Sequence, residues 1–282
     1  MTISIRALAD ADLEAADAIL KLAFRSSVSR LRDLELYRRI QPDGWFLAAR
    51  HEHPIGMVGA TNYGALAHVG LMAVHPAAQR QGVGLALMQF LLAELDRRQV
   101  PLVLLDASEA GRPLYDKLGF VAHDETYVFQ RHSGATRQER LPNIQSISVQ
   151  ELDELVRGDT PVFGANRRKA FQALSDVFPE RAFMLRDERG RLEGYLFAQK
   201  NRIGPWVMLQ PRHAEVLLQA ALALSYEETV SVVVPAVNRE ALELLQHYEF
   251  EQVRTNRHMG RGAGAPPGQR EKVYAQTSLA VG

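Results

Sequence analysis

Apolar and polar positions change their period repeatedly along this chain, and each change marks an element. Ile3 and Ile5 alternate with polar neighbours, which predicts a strand over Thr2–Leu8. Leu13–Phe24 has helical spacing, with Asp10 or Asp12 placed to cap it. Arg25–Ile40 is a second helical stretch, interrupted by serines and stopped by Pro42-Asp43-Gly44. Trp45–Arg50 and Ile55–Tyr63 predict a hairpin around His51-Glu52-His53-Pro54, and Ala67–Val74 is an apolar fourth strand that halts at His75-Pro76. Val83, Leu87, Leu91 and Leu95 recur at helical spacing, so a helix with a core-facing stripe runs from Gly82-Val83-Gly84 to about Arg98. Leu102–Leu105 is a buried strand, Gly111-Arg112-Pro113 opens a helix that Gly119 ends, and Val121–Gln130 closes this half as a strand.

Apolar content falls over Arg131–Pro142, which reads as a linker. From Asn143 the order repeats. Strands are expected at Ile144–Ser148, Ala182–Arg186, Leu192–Ala198, Ile203–Leu209, Val230–Val234 and Glu249–Met259. Helices are expected at Glu151–Arg157, Arg167–Val177, Arg212–Ser225 and Asn238–Tyr248, and Lys272–Ser278 closes the sheet after a glycine-rich loop. The ends of the two passes look alike, with Arg112–Phe120 answering Arg239–Phe250, so the chain is a tandem of one unit, residues 1–131 and 143–282.

The chemistry concentrates at Gln79-Arg80-Gln81-Gly82-Val83-Gly84. Glycines at a helix mouth let the backbone approach a ligand closely. The first N–H groups of a helix have no internal partner and lie at its positive end, which suits phosphate. The dinucleotide fingerprint fails, because its sixth position is Leu87, and no phosphate-loop Lys-Ser/Thr follows. Gln-x-x-Gly-x-Gly after a strand ending Val-His-Pro resembles the acetyl-CoA motif of the GNAT superfamily of N-acetyltransferases. Leu104-Leu105-Asp106-Ala107-Ser108 and Tyr115-Asp116-Lys117-Leu118-Gly119-Phe120 resemble its last strand and its Tyr-x-x-Leu-Gly-Phe signature. The resemblance covers Thr2–Arg131. It implies an α/β (α+β) fold of two GNAT-like units, each a mixed, mostly antiparallel sheet flanked by helices.

It also implies that acetyl-CoA, as co-substrate, lies in a V-shaped cleft beside the fourth strand. Leu71, Met72, Ala73 and Val74 would then flank the pantetheine arm, with an N–H near Leu71 or Met72 on the carbonyl oxygen, and Gln79, Arg80, Gln81, Gly82, Val83 and Gly84 would cradle the pyrophosphate. The resemblance makes Tyr115 the general acid, its hydroxyl facing the CoA sulfur; packed on its helix face with the hydroxyl in water, it would have no such role. His68 is the foremost candidate base, since imidazole titrates near neutrality; Glu109, His123 or water are the others. Ser108 stands where the family often has Asn, and either bonds CoA or caps the next helix. The arginines of Arg25–Ile40 form a solvated face or border the acceptor pocket.

In the second unit the cradle is gone: Gln210-Pro211-Arg212-His213-Ala214-Glu215 offers no glycine and adds a carboxylate, so no catalysis is expected there. Asp159 to Arg168 resembles a Phe-Gly-x-x-Arg segment of tandem GNAT proteins. Asp159 and Arg167 either face the acceptor across the interface between the units or merely sit at a helix N-terminus capped by Asn166.

A length of 282 residues suits two domains. Formal net charge is zero, so nothing argues for nucleic acid or an anionic membrane as partner. The absence of cysteine excludes disulfides, a Cys nucleophile and thiolate metal sites. His51 and His53 lack a third ligand and read as a solvated turn, so no metal is expected. The first residues lack a signal-peptide core, and the longest apolar stretches are too short to span a bilayer, which leaves a cytoplasmic protein as the expectation. These readings converge on an acetyl-CoA-dependent N-acetyltransferase acting on a small-molecule amine or a protein amine, with the first unit catalytic and the second shaping the acceptor site. The alternatives are a CoA or acetyl-CoA sensor without turnover and a self-association module; a homodimer and another acyl group both stay open.

Overall fold

The computed structural model describes residues 3–132, 144–227, 229–262 and 264–282. The predicted linker from residue 133 to Pro142 and the expected start of the second pass at Asn143 lie outside the described residues, while Arg131 and His132 belong to a strand. The first pass runs β1 (Ser4–Ala7), α1 (Leu13–Phe24), α2 (Leu31–Ile40), β2 (Trp45–Arg50), β3 (His53–Asn62), β4 (Ala67–Val74), α3 (Val83–Arg97), β5 (Leu102–Ala107), α4 (Arg112–Lys117) and β6 (Val121–His132). The second repeats that order: β7 (Ile144–Ser146), α5 (Leu152–Phe163), α6 (Arg168–Val177), β8 (Ala182–Arg186), β9 (Leu192–Ala198), β10 (Arg202–Met208), α7 (Ala214–Leu222), β11 (Thr229–Pro235), α8 (Arg239–His247) and β12 (Glu251–Gly262). A short β13 (Val273–Ala275) is added at the end.

Local departures from the expected elements have local causes. Asp12 stands at the start of α1 but does not cap it; its carboxylate turns back to the Ala9 N–H at 2.8 Å and to Arg6. Residues 26–30 are not helical, because Asp17 accepts from the Arg30 N–H at 2.5 Å and from Ser29 Oγ at 3.1 Å and so holds the chain in a loop. The β2–β3 turn is only His51-Glu52, with φ of 48° and 65°, the left-handed pair that a tight hairpin needs. α5 continues past Arg157 through Pro161.

Among the described residues thirteen strands form one sheet, in the order β1-β2-β3-β4-β5-β12-β6-β11-β10-β9-β8-β7, with β13 paired to β10. The order is a palindrome about the β12–β6 pair. Val121–Gln130 is expected to close the first unit, but β6 leaves β5 and pairs instead with β11 and β12. β12 takes the vacant place beside β5. Each unit thus lends its last strand to the other, which leaves neither β5 nor β11 as an open edge. Cross-strand charge supports the register, since Arg257 lies opposite Glu125 and meets it at 2.7 Å.

One face of the sheet carries α1, α2, α5 and α6 over a single core that includes Leu34, Tyr37, Trp45, Phe171, Leu174 and Tyr195 from both units. On the other face α3 and α4 cover the first unit, burying Leu87, Leu91, Leu95 and Tyr115, and α7 and α8 cover the second. Among the described residues no helix is long and apolar enough to cross a membrane.

Candidate active site at the strand splay

β4 and β5 run parallel and pair only from Ala67↔Val103 to Val69↔Leu105. Beyond that they part. The cause lies in β4. Gly70 pairs with Gly59 and Ala73 with Met57, so Leu71 and Met72 together face Val58 alone, and Leu71 adopts φ of 50°. Such a bulge re-aims the local amides and ends the pairing. An amide-bearing chain can lie in the resulting slot.

The slot ends at the mouth of α3. Gly82 has φ of 81°, and an added Cβ would meet nothing within 4 Å, so the glycine serves the backbone conformation. A Cβ on Gly84 would come within 3.0 Å of Met72 and 3.5 Å of Leu114, which sets the mouth directly over β4 and α4. Among the described residues no backbone carbonyl accepts from the N–H groups of Arg80 through Leu85. The side chains of Gln79 and Gln81 brace the loop, donating to Val74 O at 3.0 Å and Ala77 O at 2.8 Å, and Arg50 holds Gln81 at 3.0 Å. Arg80 is left exposed.

Tyr115 lies on α4, on the α3–α4 side of the sheet, with its ring edge-on to Phe120 at 5.8 Å. Burial pushes its hydroxyl up to about 12, so it keeps its proton at neutral pH. Ser108 Oγ accepts from the Gly111 N–H at 3.2 Å, in the turn that leads into α4. Glu109 and His123 are exposed.

His68 is buried on the opposite side of the sheet. It faces Leu104 across the β4–β5 pair; Asp106 is two residues on from Leu104 and therefore on the same face, and His258 of β12 lies opposite Asp106. The ligand-type atoms of His68, Asp106 and His258 all lie within 4.8 Å of one another. Asp106 accepts from Thr126 Oγ1 at 2.7 Å, His258 Nδ1 at 3.0 Å and Gln276 Nε2 at 3.1 Å. His68 Nε2 is 3.4 Å from Asp106 Oδ2 without forming a hydrogen bond, and both ring nitrogens are unpartnered among the described residues. Next to this cluster is a cavity of about 40 Å³ whose walls include His68, His258, Arg167, Arg270, Gln276 and Gly282.

Asp159 and Arg167 meet in a buried two-point pair, both contacts at 2.8 Å. Arg167 also donates to Tyr195 at 2.8 Å and lies over the Phe163 ring. Arg167 lines the cavity; Asp159 does not, and is committed to Arg167 and Tyr195. Asn166 accepts from the Arg168 N–H at 2.9 Å at the start of α6.

Comparison with known proteins bears directly on this geometry. The acetyltransferase (GNAT) domain matches twice, over residues 15–133 and 155–275. This chain belongs to the GNAT superfamily. A holothin acyltransferase from Pseudoalteromonas sp. (strain SANK 73390) is 26% identical over 260 residues, covering 89% of this chain and 86% of that one. A structure described as an acetyltransferase from Pyrococcus horikoshii is 28% identical, covers 99% of this chain and 96% of its own, and superposes with a TM-score of 0.87. A GCN5-related N-acetyltransferase structure from Sphaerobacter thermophilus shares the fold at TM-score 0.70 and 14% identity, covering 95% and 98% of the two chains. The protein is an acetyltransferase-family enzyme with two GNAT units in tandem.

The second GNAT unit keeps the splay and fills it. β10 and β11 pair only at Arg202↔Ser231 and Ile203↔Val232. β13 then enters the gap, pairing Ala275 with Trp206 and Val273 with Val207, and the Gln276 N–H donates to Val233 O at 2.8 Å. The predicted closing strand therefore lies inside the sheet rather than at its edge. Three groups of the site went unnoticed in the sequence. Asp106 carried a signal, as the one charge in an otherwise apolar strand. His258 and Gln276 carried none, because only the strand exchange brings them to β5.

Proposed function

We propose that this GNAT protein transfers an acyl group, acetyl in the simplest case, from its CoA thioester to an amine. The observation that supports this most directly is the slot between β4 and β5 leading to a helix mouth whose N–H groups lack carbonyl partners. The pyrophosphate sits on Arg80–Gly84, and the pantetheine amides run along Leu71–Val74 and past Ser108.

The two proton-handling groups flank the slot from opposite faces, Tyr115 beneath α4 and His68 on the side of α1, α2, α5 and α6. The amine enters from the His68 face. Its nitrogen attacks the thioester carbon, and an N–H at the β4 bulge, from Leu71 or Met72, holds the oxygen as negative charge develops. The C–S bond breaks, the thiolate takes the Tyr115 proton, and His68 receives the amine proton through water in the adjoining cavity, which has room for a few molecules. Residues of the first unit carry the cofactor and the chemistry. The second unit roofs the acceptor face, with Arg167 fixed by Asp159 as part of the wall.

Acetyl-CoA at 100 times its dissociation constant is expected to stabilise the protein by about 2.7 kcal/mol, seen as a higher melting temperature. Gly82→Glu places a carboxylate at the phosphate position and abolishes the shift; Gly82→Asn tolerates the left-handed backbone and controls for strain. An undiminished shift in the Glu variant refutes the cradle. Thiol release against an amine library then identifies acceptors. Because one relative is named an acyltransferase, longer acyl-CoAs belong in the same screen. Tyr115→Phe should lower kcat by about 10² to 10⁴ while leaving the thermal shift intact.

A further inference from the structure

We propose that Asp106, clamped by His258 and Gln276 from the second GNAT unit, is the positioning residue that orients His68 and balances the charge it gains on taking a proton. The inference rests on the reading of His68 as the base.

Asp106 is wholly buried and accepts from three fixed donors in three different places: Thr126 on β6, His258 on β12 and Gln276 just after β13. A carboxylate only accepts, so His258 Nδ1 must carry the hydrogen. Burial favours the neutral form of His258, so it clamps without adding charge. His258 first, and His68 after it, hold Asp106 ionised, well below the usual carboxylate range, against the cost of burying it. With both imidazoles neutral the cluster carries one net negative charge. Of its members, His68 alone has both ring nitrogens unpartnered and sits on the cavity. Nε2–H, 3.4 Å from Asp106 Oδ2, supplies the missing hydrogen bond after a small ring rotation, and a second ring proton, on Nδ1, makes the imidazole cationic and cancels that charge. Of the arginines on the cavity, Arg167 is matched by Asp159, and Arg270 by Asp124 at 3.3 Å. The buried negative charge is therefore available to His68.

The test is histidine NMR on the full-length protein, with ring nitrogens labelled and His68 assigned by comparison with His68→Gln. In the wild type His68 should titrate at a higher pH than in Asp106→Asn, by about one unit or more, a tenfold change in its proton affinity. His258→Gln is expected to shift His68 in the same direction by less, and His258→Asn, which can still donate from near the Nδ1 position, to restore part of it. Melting curves confirm that each variant is folded. With any amine that turns over, Asp106→Asn should lower kcat and move the acidic limb of the pH–rate profile while leaving KM for acetyl-CoA unchanged. An unchanged His68 titration in Asp106→Asn overturns the proposal, as does a stoichiometric metal ion whose removal alone shifts the His68 signals. Failure of acetyl-CoA to bind at all would refute the transferase reading and leave the His68 titration standing as a separate result.

Discussion

The buried charge of Arg167 is matched by its neighbours. Arg167 is 1% exposed and satisfied at three points by Asp159 and Tyr195, and it is fully charged at any workable pH. Asp159→Asn leaves the guanidinium buried with half its partner, so it should cost about 3–5 kcal/mol. A lower urea midpoint with an unchanged m-value would confirm this. A loss under 1 kcal/mol would mean that water reaches Arg167 and that the cavity wall is softer than described. The sequence marked both residues but left open whether they face the acceptor or sit at a helix end. Their pairing follows from the α5–α6 turn, where Gly164 at φ of 90° folds one helix back on the other.

At the scale of elements, the two similar units differ in the gap their splayed strands leave. In both, the parallel pair splays after two or three residue pairs. In the first the gap lies open toward a glycine mouth. In the second β13 occupies it with its own amides, and α7 starts at Ala214 behind Arg212 and His213 with no glycine. Titration calorimetry is therefore expected to find one acetyl-CoA per chain, and two would show that β13 gives way. Gly204 holds this arrangement: at φ of 143°, an added Cβ would lie 2.1 Å from Gln276 O. Gly204→Ala should expel β13, seen as faster hydrogen exchange at the Gln276 amide. Because Gln276 also clamps Asp106, the same variant should perturb His68.

At the scale of the whole molecule the units are not separable. β12 completes the first and β6 the second, and Asp33 of α2 reaches Arg202 of β10 at 3.5 Å across the shared core. A fragment ending at residue 142 would expose the edges of both β5 and β6 and should aggregate, whereas the full chain unfolds in one calorimetric transition. Two well-separated transitions would contradict this. Acid should attack the joint first. Neighbouring Arg202 and Arg30 hold Asp33 below the usual carboxylate range, and His258 does the same for Asp106. A depressed native pKa gives stability that is complete above the unfolded value of about 3.9 and fades as pH falls below it. Asp33→Asn should therefore lower stability at neutral pH and flatten its decline below about pH 4.

The tandem order of elements, the buried stripe of α3 and the glycine mouth were legible in the residues alone, because each depends on spacing within one segment and on the backbone freedom of single glycines. Which strand closes which unit was not, since β6 and β12 are alike in length and polarity and either could pair with β5. Only the folded sheet, which must leave no open edge at its centre, decided that His258 would stand beside Asp106 and that β13 would fill the second cleft.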